Sequence, residues 1–173
     1  MDYLFTTFLP FLEAIGIDYS LETINEDTFL PGLKLRSGTL VIDTEKLLYP
    51  GDVLHEAGHL ACVPPEVRES LSDTIENNDA NAAVEMMALA WSYAAALHLG
   101  IDPYIVFHEH GYKGGAKGIV EGYQNGNIMG IPMLQIYGLC YDYNMATQLN
   151  TLPFPYMQKW VCEFNPFEKP NII

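Results

Sequence analysis

Between Ala80 and Leu99 the sequence is dominated by Ala, Met and Leu, with hardly a polar residue among them. Such a stretch has high helix propensity, and Gly100 stands where a helix C-terminus takes a left-handed residue. At the other end Asn78 or Asp79 is placed to act as cap. A helix that is apolar nearly all round has no face to offer to solvent, so it must run through the centre of a domain. Its longest apolar run, Met86 to Leu97, is far too short to span a bilayer. A chain of 173 residues supplies enough sequence to surround such a helix, and residues 1–173 read as a single domain.

One acid, Glu85, interrupts this apolar helix. A lone carboxylate among apolar side chains is costly without a partner, and a divalent cation is the obvious one. A hydrogen-bonded structural glutamate is the alternative. The rest of a metal site stands upstream, in Asp52-Val-Leu-His-Glu-Ala-Gly-His-Leu-Ala61. His55, Glu56 and His59 form an H-E-x-x-H pattern. On a helix, residues four apart share a face one turn apart, so both imidazoles reach one ion, while Glu56 addresses a water held by it. Zinc-assisted hydrolysis asks for this set. Pro50-Gly51-Asp52 breaks the chain and offers Asp52 as N-cap, so the helix is expected from Val53, and Pro64-Pro65 cannot continue it. The spacers Ala57 and Gly58 are small enough to let another element come close to the metal face.

Catalytic zinc keeps three protein ligands and a water. Glu85 is the leading candidate for the third. Asp79 ranks second, because it lies on a different face of the helix and in a capping position. His98 is roughly 20 Å further along the same helix and cannot share an ion with Glu85. A second polar cluster, His108, Glu109, His110 and Tyr112, follows. Histidines two apart do not share a helix face, so a separate metal site is not expected there. His108, His110 or Tyr112 could instead donate a hydrogen bond to a developing oxyanion, since Gly111, Gly114 and Gly115 make the region pliable.

The other elements are shorter. Residues 3–15 read as a mostly buried helix that Pro10 either kinks or delays. Asp18 to Ile24 alternates like a strand. Leu33–Arg36 and Thr39–Asp43, separated by Ser37-Gly38, read as a hairpin. Asp102-Pro103 opens a short helix ending near Gly111, a modest helix surrounds Ile119-Val120, and Ile131 to Tyr143 forms a last core helix. The tail, with Pro153, Pro155, Pro166 and Pro170, reads as mostly irregular and anchored by Phe154, Trp160 and Phe164. The fold class is α+β: a mostly helical domain with a small antiparallel sheet beside the metal helix.

Charge removes whole classes of partner. With 22 acidic residues against 8 Lys and Arg, the formal charge is −14. Such a surface repels nucleic-acid phosphates and anionic membranes, and no local basic cluster offsets it. Cys62, Cys140 and Cys162 are odd in number and lack C-x-x-C spacing, which fits reduced thiols in a cytoplasm. The N-terminus lacks the positive region of a secretory signal.

His55-Glu-Ala-Gly-His59 together with Glu85 resembles the short zincin metallopeptidases, in the branch with a glutamate third ligand. It is also similar to the small H-E-x-x-H proteases that cleave phage repressors or act in stress responses. The likeness covers residues 39–92. It implies a zincin-like domain that binds Zn2+ through His55, His59 and Glu85, uses Glu56 as general base and acts on a peptide or protein substrate. The expected function is a zinc-dependent metallopeptidase. The alternative is a non-catalytic metal-binding regulatory or interaction domain of the same fold.

Overall fold

The structure, a computed structural model, describes residues 3–72 and 79–168. The candidate cap Asn78 and the side chain of Asp79, the second choice for third ligand, lie outside the described residues. The chain enters through a π-helical segment, Leu4–Phe8, that runs straight into helix α1, Leu9–Ile15. Pro10 falls in the first turn of α1, directly after the change from π-helical to α-helical winding.

Three short strands follow: β1 (Tyr19–Leu21), β2 (Leu33–Arg36) and β3 (Thr39–Ile42), in the order β1-β3-β2. The hairpin between β2 and β3 forms as expected. Its two turn residues, Ser37 and Gly38, both take left-handed backbone angles (φ 48° and 78°), which match the twist of a two-residue hairpin. The sheet is mixed rather than antiparallel, because β1 lies parallel to β3, with Tyr19 opposite Leu40 and Leu21 opposite Ile42. A parallel partner needs a long return connection, and between β1 and β3 run residues 22–38, with β2 among them. Asp43 pins that connection, its Oδ2 accepting the Ile24 N–H at 2.9 Å.

Helices α2 (Asp52–Ala61), α3 (Pro65–Arg68) and α4 (Asp79–His98) make up the centre. Residues 87–96 of α4 are all buried, as its composition demands. Its main partner is α2, and the contact is close because Gly58 lies against the backbone of Ala88 and the ring of Trp91. A Cβ at Gly58 would stand 3.2 Å from each. Trp91 is fully buried and donates Nε1–H to the Trp160 carbonyl at 2.8 Å, tying the tail to the core. Arg68 fastens the far end of α2: Nε donates to the Leu60 carbonyl at 2.7 Å, and Nη2 donates to Val63 at 3.0 Å and Cys162 at 2.7 Å.

The second half differs from its expected outline. Asp102 does cap, accepting the Tyr104 N–H, but only a 3-10 turn, Pro103–Ile105, follows. Helix α5 (Ala116–Gln124) covers Ile119 and Val120 as expected. The last apolar stretch yields only α6 (Ile131–Ile136), and a further helix that was not expected, α7 (Tyr143–Leu149), follows it. Asp142 starts α7 by accepting the Met145 N–H at 2.8 Å. Among the described residues no helix is long and apolar enough to cross a membrane. Cys62, Cys140 and Cys162 are free and buried.

The α2–α4 contact leaves no room for a branched side chain. Gly58→Val should therefore destabilise the protein by about 1–3 kcal/mol, the usual cost of overpacking, read as a lower urea midpoint at an unchanged m-value.

Candidate metal centre

Helix α2 sets His55 and His59 one turn apart, with their rings edge to face and centroids 4.9 Å apart. Both are buried, at 8% and 9% exposure. Their Nε2 atoms point at a common spot and stand 3.3 Å from each other. From α4, Glu85 brings Oε1 to 3.6 Å from His55 Nε2 and Oε2 to 3.1 Å from His59 Nε2. A tetrahedral ion with bonds of about 2.0–2.1 Å holds its donors about 3.3–3.4 Å apart. The three side chains are thus already spaced for one small divalent ion. Their candidate ligand atoms all lie within 4.8 Å of one another, and among the described residues this is the group that could hold a metal.

The electrostatics favour a cation in the same place. Burial pushes the Glu85 carboxyl up, but the hydrogen bonds and charges of His55 and His59 outweigh it and hold the pKa well below the usual carboxylate range. Burial also opposes charge on His59. There the hydrogen bond to Glu85 and the negative charges of Glu56 and Glu85 prevail, and the pKa is raised. Glu85 is not the buried acid that its apolar neighbours imply. Its side chain is 45% exposed, because residues 82–86 of α4 lie outside the core that begins at Met87. The centre therefore has two buried imidazoles on one side and an accessible carboxylate on the other. Glu56, half-buried and next to His55, adds its charge to the same field.

Asp52 does not cap α2. Gly51 holds the cap position, and Asp52 is the first helical residue. Its buried carboxylate instead pairs with His108, Oδ1 to Nε2 at 2.9 Å. The pairing is possible because Gly51 brings the backbone at Ile105 very close, where a Cβ would meet the Ile105 carbonyl oxygen at 2.0 Å. The segment after Pro103 is thereby laid across the start of the metal helix. His108 also stacks on Tyr49, with ring centroids 3.9 Å apart. It is occupied as a structural partner, while His110 is exposed and beside Glu109.

Tyr112 is the member of that cluster placed at the centre. Its ring meets that of His55 edge to face, centroids 5.4 Å apart. Its hydroxyl is buried without a hydrogen-bond partner, as is His55 Nδ1. Burial, with the charges of Asp52, Glu85 and Glu56, pushes the phenol pKa far up, so Tyr112 keeps its proton. His98, in contrast, sits at the other end of α4 against the rings of Phe11 and Trp160. The role of Asp52 escaped the sequence reading. The one available signal was an acid one helical turn before a candidate ligand.

No family model, no curated protein and no solved structure matches the chain, so the meaning of the centre is carried by its own geometry.

Purified protein should take up one equivalent of a divalent transition metal, measured by elemental analysis. His59→Ala and Glu85→Ala should weaken that binding more than about 100-fold, since a lost ligand costs more than a lost supporting contact, while His98→Ala should leave it intact. Ligation requires neutral imidazoles. Because the His59 pKa lies above its ordinary 6.5, affinity should begin to fall on acidification at a higher pH than an unperturbed histidine would give.

Proposed function

We propose that this protein is a zinc-dependent hydrolase of peptide bonds, with His55, His59 and Glu85 as the zinc ligands and Glu56 as the general base. The observation that carries the reading is the triangle of donors at tetrahedral spacing, with an acid on the residue after the first histidine. Two imidazoles and one carboxylate form a ligand set typical of catalytic rather than structural zinc, which is closed by four protein ligands. Three ligands leave a position for water or substrate.

Bound there, the ion supplies Lewis acidity toward a carbonyl and acidity to a water molecule. The chain's own residues supply the rest. Glu56 accepts the proton of the attacking water and returns it to the leaving amine. Tyr112, protonated and with its hydroxyl uncommitted, donates a hydrogen bond to the oxygen that becomes negative as the carbonyl is attacked. Asp52 and His108 hold the segment that carries Tyr112.

Glu56→Gln should retain stoichiometric zinc and lose peptide hydrolysis by about 10²–10⁴-fold, the usual worth of a general base. Tyr112→Phe should retain zinc and lower kcat by about 10²–10³-fold, as removal of an oxyanion donor does. A peptide-library digest followed by mass spectrometry, with and without chelator, reads both. Chelator-insensitive cleavage, or full activity in Glu56→Gln, would sink the mechanism. Stoichiometric zinc without any cleavage would favour the non-catalytic metal-binding module instead.

A further inference from the structure

A second concavity, of about 500 Å³, lies between α4, α5 and the chain around Phe154, and none of the metal-centre residues lines it. Its volume is in the range that takes small organic ligands. One wall is aromatic. The rings of Tyr93 and Tyr123 stack at 4.8 Å between centroids, and Phe154 joins them at 6.2 and 5.8 Å. Tyr143, 74% exposed, also lines the cavity and faces solvent.

Among the described residues the only charged side chain in the lining is that of Asp142, and no Lys, Arg or His is present. Asp142 is held firmly. Its Oδ1 accepts the Met145 N–H at 2.8 Å, and its own N–H donates to Gln135 Oε1 at 2.8 Å. The carboxylate also lines the cavity. A carboxylate that lines the same cavity as stacked rings selects among ligand classes. An anion would meet the carboxylate unscreened. A neutral apolar molecule would strip water from Asp142 and give nothing back. A cation on an apolar body satisfies both features, because aromatic faces attract positive charge and the carboxylate pairs with it. The net charge of −14 raises the local concentration of such ligands.

We infer that this cavity binds a small organic cation, an ammonium group carried on an aromatic body. The body lies against Tyr93, Tyr123 and Phe154, and the ammonium meets the Asp142 carboxylate.

Phenethylamine is a suitable probe, titrated into the full chain and followed by calorimetry and by NMR shifts of the tyrosine rings. Saturable binding is expected with a Kd of about 0.1–1 mM, typical of a ligand this small. 2-Phenylethanol and 3-phenylpropionate, of similar shape without the positive charge, should bind at least tenfold more weakly. Asp142→Asn keeps an oxygen to cap α7 but removes the charge, and should also weaken phenethylamine binding at least tenfold, with an unchanged melting temperature. Binding should be the same in His59→Ala, so its outcome is separate from that of the metal centre. Three results would each overturn the inference: no saturable binding to folded wild-type protein, equal affinity for the alcohol, or an Asp142→Asn variant that binds as wild type does.

Discussion

The contact between α2 and α4 at Gly58 is the constraint from which the rest of the structure follows. A metal centre shared between two helices works only if donors from both fall within a few tenths of an ångström of one spacing. His55 and His59 are fixed relative to each other by the helix that carries both. Glu85 is fixed relative to them only by how closely the helices approach. Gly58 allows that approach by presenting no Cβ to Ala88 and Trp91. Trp91 then holds it from behind, fully buried and anchored by its indole N–H to the tail. A larger residue at position 58 would wedge the helices apart at the level of the ligands, so core packing and ligand geometry are one quantity here.

Helix α4 divides its length between two tasks. Residues 82–86 are at most partly buried, which is why Glu85 is half-exposed and can face both an ion and solvent. Its middle is dry and carries the packing. On another face Tyr93 turns toward α5 and joins Tyr123 and Phe154. Gly130 lets the N-terminus of α6 press onto this helix, since a Cβ there would meet the Met86 carbonyl oxygen at 2.1 Å. The candidate metal centre and the aromatic cavity thus share one strut without sharing a residue.

How much of this could be read in the sequence followed from how local each determinant is. The H-E-x-x-H spacing is a property of one helix, and the apolar run is a property of another, so both were legible. Glu85 was legible because an acid stands out in that run, although its exposure was not, since composition cannot say where a helix leaves the core. The alternation of residues 18–24 announced a strand but held no information about its partner, and parallel pairing with β3 came as a tertiary fact. Asp52 was misread because an acid ahead of a helix looks the same whether it caps the helix or reaches His108. Helix α7 was missed because its start depends on the Asp142 cap more than on any apolar periodicity.

Tyr112 shows what holding a side chain at this centre costs. Neither it nor Lys113 is glycine, yet both adopt left-handed backbone angles, φ 56° and 52°. Such conformations cost of order 1–3 kcal/mol each, so they persist only where the surroundings leave no alternative. Here the surroundings are specific. The Phe107 ring packs on that of Tyr112 at 5.2 Å between centroids, and the His55 ring meets it at 5.4 Å. The Asp52–His108 pair clamps the segment just upstream. The chain also leaves the Tyr112 hydroxyl and His55 Nδ1 buried without partners, each a further loss in the ground state. Relaxing Tyr112 to an ordinary backbone conformation would remove the strain and free the hydroxyl, at the expense of its position over His55. The fold spends part of its packing energy to prevent that, and the expenditure falls beside the three donors of the metal centre.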